Sequence, residues 1–442
     1  MALQKLFDRY SYIKNHQGFK RYFHNTKWLF IAQFSRLIAG FLVGVWVARY
    51  FGPTKFGIFS YVLAFTSLFA GIAKLGLDGI IIRDLINEPE KRDIYLGTVF
   101  RLKIIGALLV LGLIAIAVQF TSNDAITNLY IFIIASGLIF QSFEVIDFYF
   151  QSKVLSKFVS ISQMAQIFLS SLLKIYFVLV HAGLIWFVIL SGFDQVTLAA
   201  SLLFAYKYQK LPNFFRYFEW GTAKKLLRNS WPLIFSSIAI SIYMRIDQVM
   251  IKNMIGNSQL GLYSAAVKLA TVWYFVPIII TSSLFPAIVS AKNESRELFY
   301  KRLQRLYAFM FWMAIAIVLP MTFFSNYIIK FVYGIAYSGA GEVLMVSIWT
   351  GVFVSLGVVT GSLVIVNNKQ NYGLVSTSIG AAANIVLNYF LIPIYGIVGA
   401  ALATLISQVI SGFIIPSFLI IDAEYPLIVF RSIFWRNKYG KL

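Results

Sequence analysis

Long apolar runs separated by short polar stretches recur along almost the whole chain. Twelve can be drawn, near residues 27–51, 56–82, 98–120, 126–149, 158–181, 183–206, 230–255, 261–290, 303–326, 342–366, 371–392 and 396–421. A helix of about 20 apolar residues crosses a hydrocarbon core of roughly 30 Å, so the pattern predicts twelve membrane helices. The longest polar connection between helices, from Tyr206 to Arg228, divides them six and six. Six is even, so both sets start on the same side, as in parallel repeats related by an axis along the membrane normal. An echo supports the division: VWVARYFGPTKFGIFS from Val45 aligns without gaps on VMIKNMIGNSQLGLYS from Val249, keeping Val, two Gly and Ser. The expected organisation is an interfacial N-terminus at 1–27, a six-helix bundle at 28–206, a basic cytoplasmic linker at 207–229, a second bundle at 230–421 and an interfacial tail at 422–442. A central cavity between the bundles follows.

Composition makes the membrane reading firm. Of 442 residues 59% are hydrophobic and 12% charged, against about 25% charged in soluble domains. The net charge of +21 alone would suit nucleic acid, but its placement points elsewhere. The first segment carries Lys5, Arg9, Lys14, Lys20, Arg21 and Lys27, whereas one whole side of the predicted topology has only Arg49, Lys55, Lys252 and Lys330. Lys and Arg are retained in the cytoplasm, which puts both termini there and assigns the charge to topology and anionic headgroups, with no nucleic-acid partner. The absence of cysteine excludes disulfides and thiolate metal sites. The N-terminal segment lacks the features of a cleaved signal peptide, and none is expected.

The candidate chemistry lies in charges within the helices. Arg36, Lys74, Lys174, Arg245 and Lys268 are cationic, and each would cost roughly 2.5–3.5 kcal/mol in lipid, so they are expected to face a hydrated interior. Lys74 and Asp78, i and i+4, are read as a pair on one helix face. Glu144 and Asp147 end the fourth helix, where they are expected to meet Lys153 and Lys157. The stretch from Arg83 to Lys103 reads as a solvated loop without chemistry. Ser230 and Pro232 read as the cap and first turn of the seventh helix, and Pro277 with Pro286 as a kink or hinge in the eighth. A cationic surplus suits a phosphate or diphosphate, which Arg grips in bidentate fashion. Asp247, Asp194 and Asp78 are the candidates for ion coupling, Asp194 because burial would favour its protonated form. His16, His24 and His181 are isolated, no metalloprotease or nucleotide motif occurs, and the outward connections are short. Catalysis is disfavoured, and no cofactor is expected beyond a proton or sodium gradient.

Asp247, Gly256, Gly261-Leu262-Tyr263 and Ala266, with Leu284-Phe285-Pro286, resemble the Wzx-type polysaccharide flippases of the multidrug/oligosaccharidyl-lipid/polysaccharide (MOP) exporter superfamily. Pro393-x-Tyr395-Gly396-x-x-Gly399-Ala400-Ala401-x-Ala403-Thr404 and Gly52-Pro53-x-x-Phe56-Gly57-x-Phe59-Ser60 are similar to that family too. The resemblance implies an all-α integral membrane protein of MATE-like fold in the bacterial inner membrane. It implies alternating access that carries undecaprenyl-diphosphate-linked oligosaccharide, such as O-antigen repeat units, from the cytoplasmic to the periplasmic leaflet. Arg36, Arg245 and Lys268, then Lys74 and Lys174, are the expected lining, and a polysaccharide polymerase and chain-length regulator the expected partners beside membrane lipids. The alternatives are a cation-coupled exporter of small drugs and, from another class, a membrane glycan polymerase or ligase.

Overall fold

The structure, a computed structural model, describes residues 17–366 and 370–419; most of the N-terminal segment 1–27 and the tail 422–442 lie outside the described residues. The described elements are all helical. They are α1 (Gln17–Ala73), α2 (Asp78–Asn87), α3 (Arg92–Ala117), α4 (Ala125–Ser136), α5 (Val145–Ser152), α6 (Ser156–Leu179) and α7 (Leu184–Tyr208). There follow α8 (Trp220–Ile255), α9 (Asn257–Thr271), α10 (Phe275–Glu294), α11 (Arg296–Phe323), α12 (Ser325–Tyr333), α13 (Gly341–Val366), α14 (Gln370–Val409) and α15 (Ile415–Leu419). Ten helical stretches among the described residues are long and apolar enough to cross a membrane. Two of these, Lys27–Asn87 and Tyr372–Phe418, are 61 and 47 residues long and break inside, at Gly52 and Gly396.

Several local expectations are corrected. α1 ends at Ala73 and the chain turns at Gly76, where φ is +60°, so Lys74 lies in the turn, Asp78 opens α2, and the two make no salt bridge. The stretch from Arg83 to Lys103 read as a loop is almost wholly helical, within α2 up to Asn87 and within α3 from Arg92. Ser230 and Pro232 lie inside α8, which begins ten residues earlier at Trp220. The eighth helix divides before Pro277, which stands in the first turn of α10, where a missing N–H costs nothing.

Contacts divide the chain into two compact units: unit 1 is Met1–Gly44 with Phe69–Ser237, and unit 2 is Val45–Leu68 with Ile238–Leu442. Relative to bundles at 28–206 and 230–421, residues 45–68 thus pack with the second unit. In unit 1 the core gathers Leu77, Ile81, Tyr95, Val99, Phe150 and Tyr206, together with Phe214 from the linker. The segment between α7 and α8 is docked on α3. Phe215 packs edge-on to Phe100 at 4.9 Å, and Arg92 donates to the Pro212 carbonyl at 2.9 Å. The Phe214 and Tyr217 carbonyls lie against Gly97.

In unit 2 the echoed sequences meet. Gly52 (φ +67°) and Gly256 (φ +94°) turn the chain in the region open to glycine. One turn on, a Cβ at Gly57 would collide with the Asn257 carbonyl, and one at Gly261 with the Pro53 carbonyl. Each repeat thus lays its second glycine on the residue that follows the other's first, a reciprocal backbone contact of the kind small residues permit between membrane helices. Around it Tyr337 OH donates to the Ala48 carbonyl at 2.7 Å, and Arg49 Nε to the Val332 carbonyl, at the end of α12, at 2.6 Å.

Candidate functional site

α8, α9, α13 and α14 of unit 2 enclose a cavity of about 480 Å³. Asp247 stands on its wall and is 5% exposed. The Tyr263 hydroxyl donates to Asp247 Oδ2, and the backbone N–H of Gln248 donates to Oδ1 at 2.7 Å, so both carboxylate oxygens have a donor. One turn before Asp247, Tyr243 OH donates to Gln408 Oε1 at 2.5 Å and receives Ser411 Oγ at 3.5 Å. Thr404 joins the wall, and behind it the fully buried Asn384 donates to Ser407 Oγ at 3.1 Å and Thr404 Oγ1 at 3.4 Å. α13 contributes Ser347 and Thr350, and the π-helical turn Ile410–Ile414 brings in Ser411 and Gly412. Such turns insert a residue into a helix and often mark functional sites. Among the described residues, no Lys or Arg lines the cavity.

The cationic candidates are placed elsewhere. Lys174 pairs with Asp194 at 3.5 Å, and Ser170 Oγ donates to the same carboxylate at 3.0 Å. Asp78 pairs with Lys103 at 3.2 Å, and Lys103 reaches Glu144 at 2.9 Å. Lys103 is 2% exposed and stands over the Phe148 ring at 4.5 Å. Glu144 is thus answered by Lys103. Arg36 is exposed and lies in the field of Asp147; Arg245 is exposed in unit 2 and lies in the field of Asp247. Lys268 is half-buried in α9, outside the cavity lining. Reading the sequence missed Lys103, which an apolar neighbourhood hides as a helix start. It also missed Tyr243, Ser347, Thr350 and Gln408, neutral residues whose facing is set only by helix packing. Tyr263 stood in the recognised motif without a role, although its spacing from Asp247 across one turn was visible.

Residues 23–292 match the family described as "Polysaccharide biosynthesis protein". The chain belongs to that family. It is 20% identical over 378 residues to the capsular polysaccharide biosynthesis protein CapF of Staphylococcus aureus, covering 84% of this chain and 92% of that one. It is 25% identical over 376 residues to the probable low-salt glycan biosynthesis flippase Agl15 of Haloferax volcanii, covering 82% of this chain and 76% of that one. In fold it is similar to the inward-facing conformation of a MATE family multidrug resistance transporter of the MOP superfamily, with a TM-score of 0.67, 15% identity and coverage of 91% and 93%. The kinship read from these motifs therefore holds at the level of the family: this polysaccharide biosynthesis family member is a multi-pass membrane protein with a MATE-like fold.

Proposed function

We propose that the protein is an inner-membrane flippase that carries undecaprenyl-diphosphate-linked repeat units, O-antigen or a related surface polysaccharide, from the cytoplasmic to the periplasmic leaflet by alternating access. The observation that carries this reading is the family match over residues 23–292, in a chain built from apolar helices. The glycine breaks at Gly52 and Gly396 support twelve crossings, because each divides a stretch long enough for two. An even count keeps both termini on one side, which the Lys/Arg bias of the sequence assigns to the cytoplasm in this reading.

Arg36 and Arg245 are the diphosphate anchors in this reading: both are exposed, and neither makes a hydrogen bond or salt bridge among the described residues. Lys268 and Lys74 add positive field, whereas Lys174 is engaged by Asp194. Of the three acids considered for coupling to a proton or sodium gradient, Asp78 and Asp194 face lysines, which leaves Asp247. Replacing Arg36 or Arg245 with Ala and with Lys at matched expression tests the anchors: surface polysaccharide should fall at least tenfold in the Ala forms, and normal levels there would sink the role. Deletion should change surface polysaccharide and leave drug tolerance unaltered; the reverse would favour the drug-exporter reading. Transport by Asp247→Asn that ignores collapse of the gradient, while the parent protein responds to it, supports the coupling role; transport by the parent that is equally indifferent removes it.

A further inference from the structure

α6 and α7 are joined by the short turn at 180–183 and pack side by side. At the end where α6 opens at Ser156 and α7 closes at Tyr208, they leave a groove of about 550 Å³. Small side chains, Ser162 and Ala165 on α6 and Ala200 on α7, make room for it, and Phe158, Phe204 and Tyr208 line it beside them. Phe204 and Tyr208 are stacked at 6.4 Å and are 72% and 70% exposed, so the groove opens outward. Along α6 it continues into Ile161, Phe168, Leu172 and Tyr176, which share one face at helical spacing and are all exposed. Lys174, paired with Asp194, stands on the opposite face of α6. An exposed apolar stripe of this kind on a membrane helix meets hydrocarbon.

The mouth of the groove is cationic. Lys157 precedes Phe158, and Lys207 lies three residues after Phe204 in the last turn of α7, so each adjoins a lining residue. Both are exposed, and neither makes a salt bridge among the described residues. Lys157 Nζ stands 5.6 Å over the Trp28 ring, and Tyr208 is beside Lys207, the mixture of aromatic and basic side chains that marks the headgroup level. α6 begins there without a side-chain cap, which adds the positive end of its dipole.

We infer that this groove binds an anionic phospholipid, with one chain along the lining and the phosphate met by Lys157 and Lys207. The occupant must be apolar for about 10 Å, the rise from Phe158 to Ala165, and negative at one end. A second copy of this chain fits poorly, because a two-fold axis along the membrane normal would set the same lysines against each other. The inference does not depend on the flippase reading.

The test follows individual lipids on the full-length, detergent-solubilised protein by native mass spectrometry, titrating phosphatidylglycerol and phosphatidylcholine of the same chains. One phosphatidylglycerol should bind about tenfold tighter than phosphatidylcholine, the order expected of two lysines beside a phosphate. Lys157→Gln/Lys207→Gln should remove that preference. Lys224→Gln/Lys225→Gln, which deletes as much charge from exposed positions of α8, should keep it. Ala165→Leu/Ala200→Leu, both at exposed positions, should fill the groove and expel the tight lipid. Equal affinity for the two lipids overturns the site. So does a preference that survives the lysine or the leucine variant, or one that the α8 control also abolishes. Displacement of phosphatidylglycerol by undecaprenyl phosphate at equal concentration would give the groove to a prenyl carrier, against the inference.

Discussion

Lys103 in unit 1 and Asp247 in unit 2 are both almost fully enclosed, yet their surroundings differ in kind. Lys103 is held by two carboxylates and an aromatic face, and Lys174 with Asp194 forms a second pair elsewhere in unit 1. Asp247 makes no salt bridge among the described residues, with Arg245 only in its field, and is satisfied by a tyrosine hydroxyl and a backbone N–H, in a wall of hydroxyls and amides. Unit 1 therefore neutralises its buried charges internally. Unit 2 leaves a carboxyl group on a cavity wall with no salt bridge among the described residues, the arrangement of a site that meets something other than the protein itself.

The comparison breaks most visibly at Lys103. Lys103→Met leaves Asp78 and Glu144 without their cation and should cost about 3 kcal/mol, the lower end for a broken buried pair because both carboxylates are partly exposed. Thermal unfolding in detergent would show it, and adding Asp78→Asn and Glu144→Gln should restore most of the loss. If Lys103→Met melts like the parent, unit 1 does not depend on pairing. In unit 2 the matching change is Asp247→Ala, which strands the Tyr263 hydroxyl and should cost about 2 kcal/mol. Asp247→Asn keeps an acceptor and should cost less than half of that by the same measurement. Equal losses would mean that the charge itself stabilises unit 2.

Smaller effects sharpen the contrast. Lys174 and Asp194 remain partly exposed, so Lys174→Met should cost about 1 kcal/mol or less, and a much larger loss would make that pair the centre of unit 1. Smallest is the surface pair of Lys91 and Glu88 at 2.6 Å. The hydrogen bond from Lys91 holds the Glu88 carboxyl below its usual range. A depressed carboxylate stabilises the fold above its unfolded pKa of about 4.3 and loses that contribution as pH falls through the lower folded value. The melting difference between the parent and Glu88→Gln should therefore be slight at neutral pH and vanish in acid. A difference that grows in acid would reverse the sign of this linkage.

What could be read from the sequence follows which interactions are local. Apolar runs set by bilayer thickness marked the helices, and the Gly52 and Gly256 turns marked the echo, because both depend on consecutive residues. Pairing across elements was not legible. Lys74 and Asp78 share a helical spacing, but the turn at Gly76 intervenes and hands Asp78 to a lysine 25 positions away in the sequence. The docking of Phe214 and Phe215 on α3 was equally hidden, since a basic, Pro-containing segment between helices reads as solvated until Gly97 is seen to admit its carbonyls. The cavity was least legible of all: Ser347, Thr350 and Thr360 line it and Ser355 does not, a difference set only by which way α13 turns them.

The assignment of Val45–Leu68 to unit 2 bears on biogenesis. These residues enter the membrane early, but the segments they pack against begin only at Ile238, roughly 170 residues later, which at 5–20 residues per second is about 10–30 seconds of synthesis. During that interval the Gly57 face has no partner, and the nascent protein must tolerate an unfinished helix pair in the bilayer. A chain cut in the linker would not yield two self-sufficient pieces, because its second piece would lack the strip that completes it.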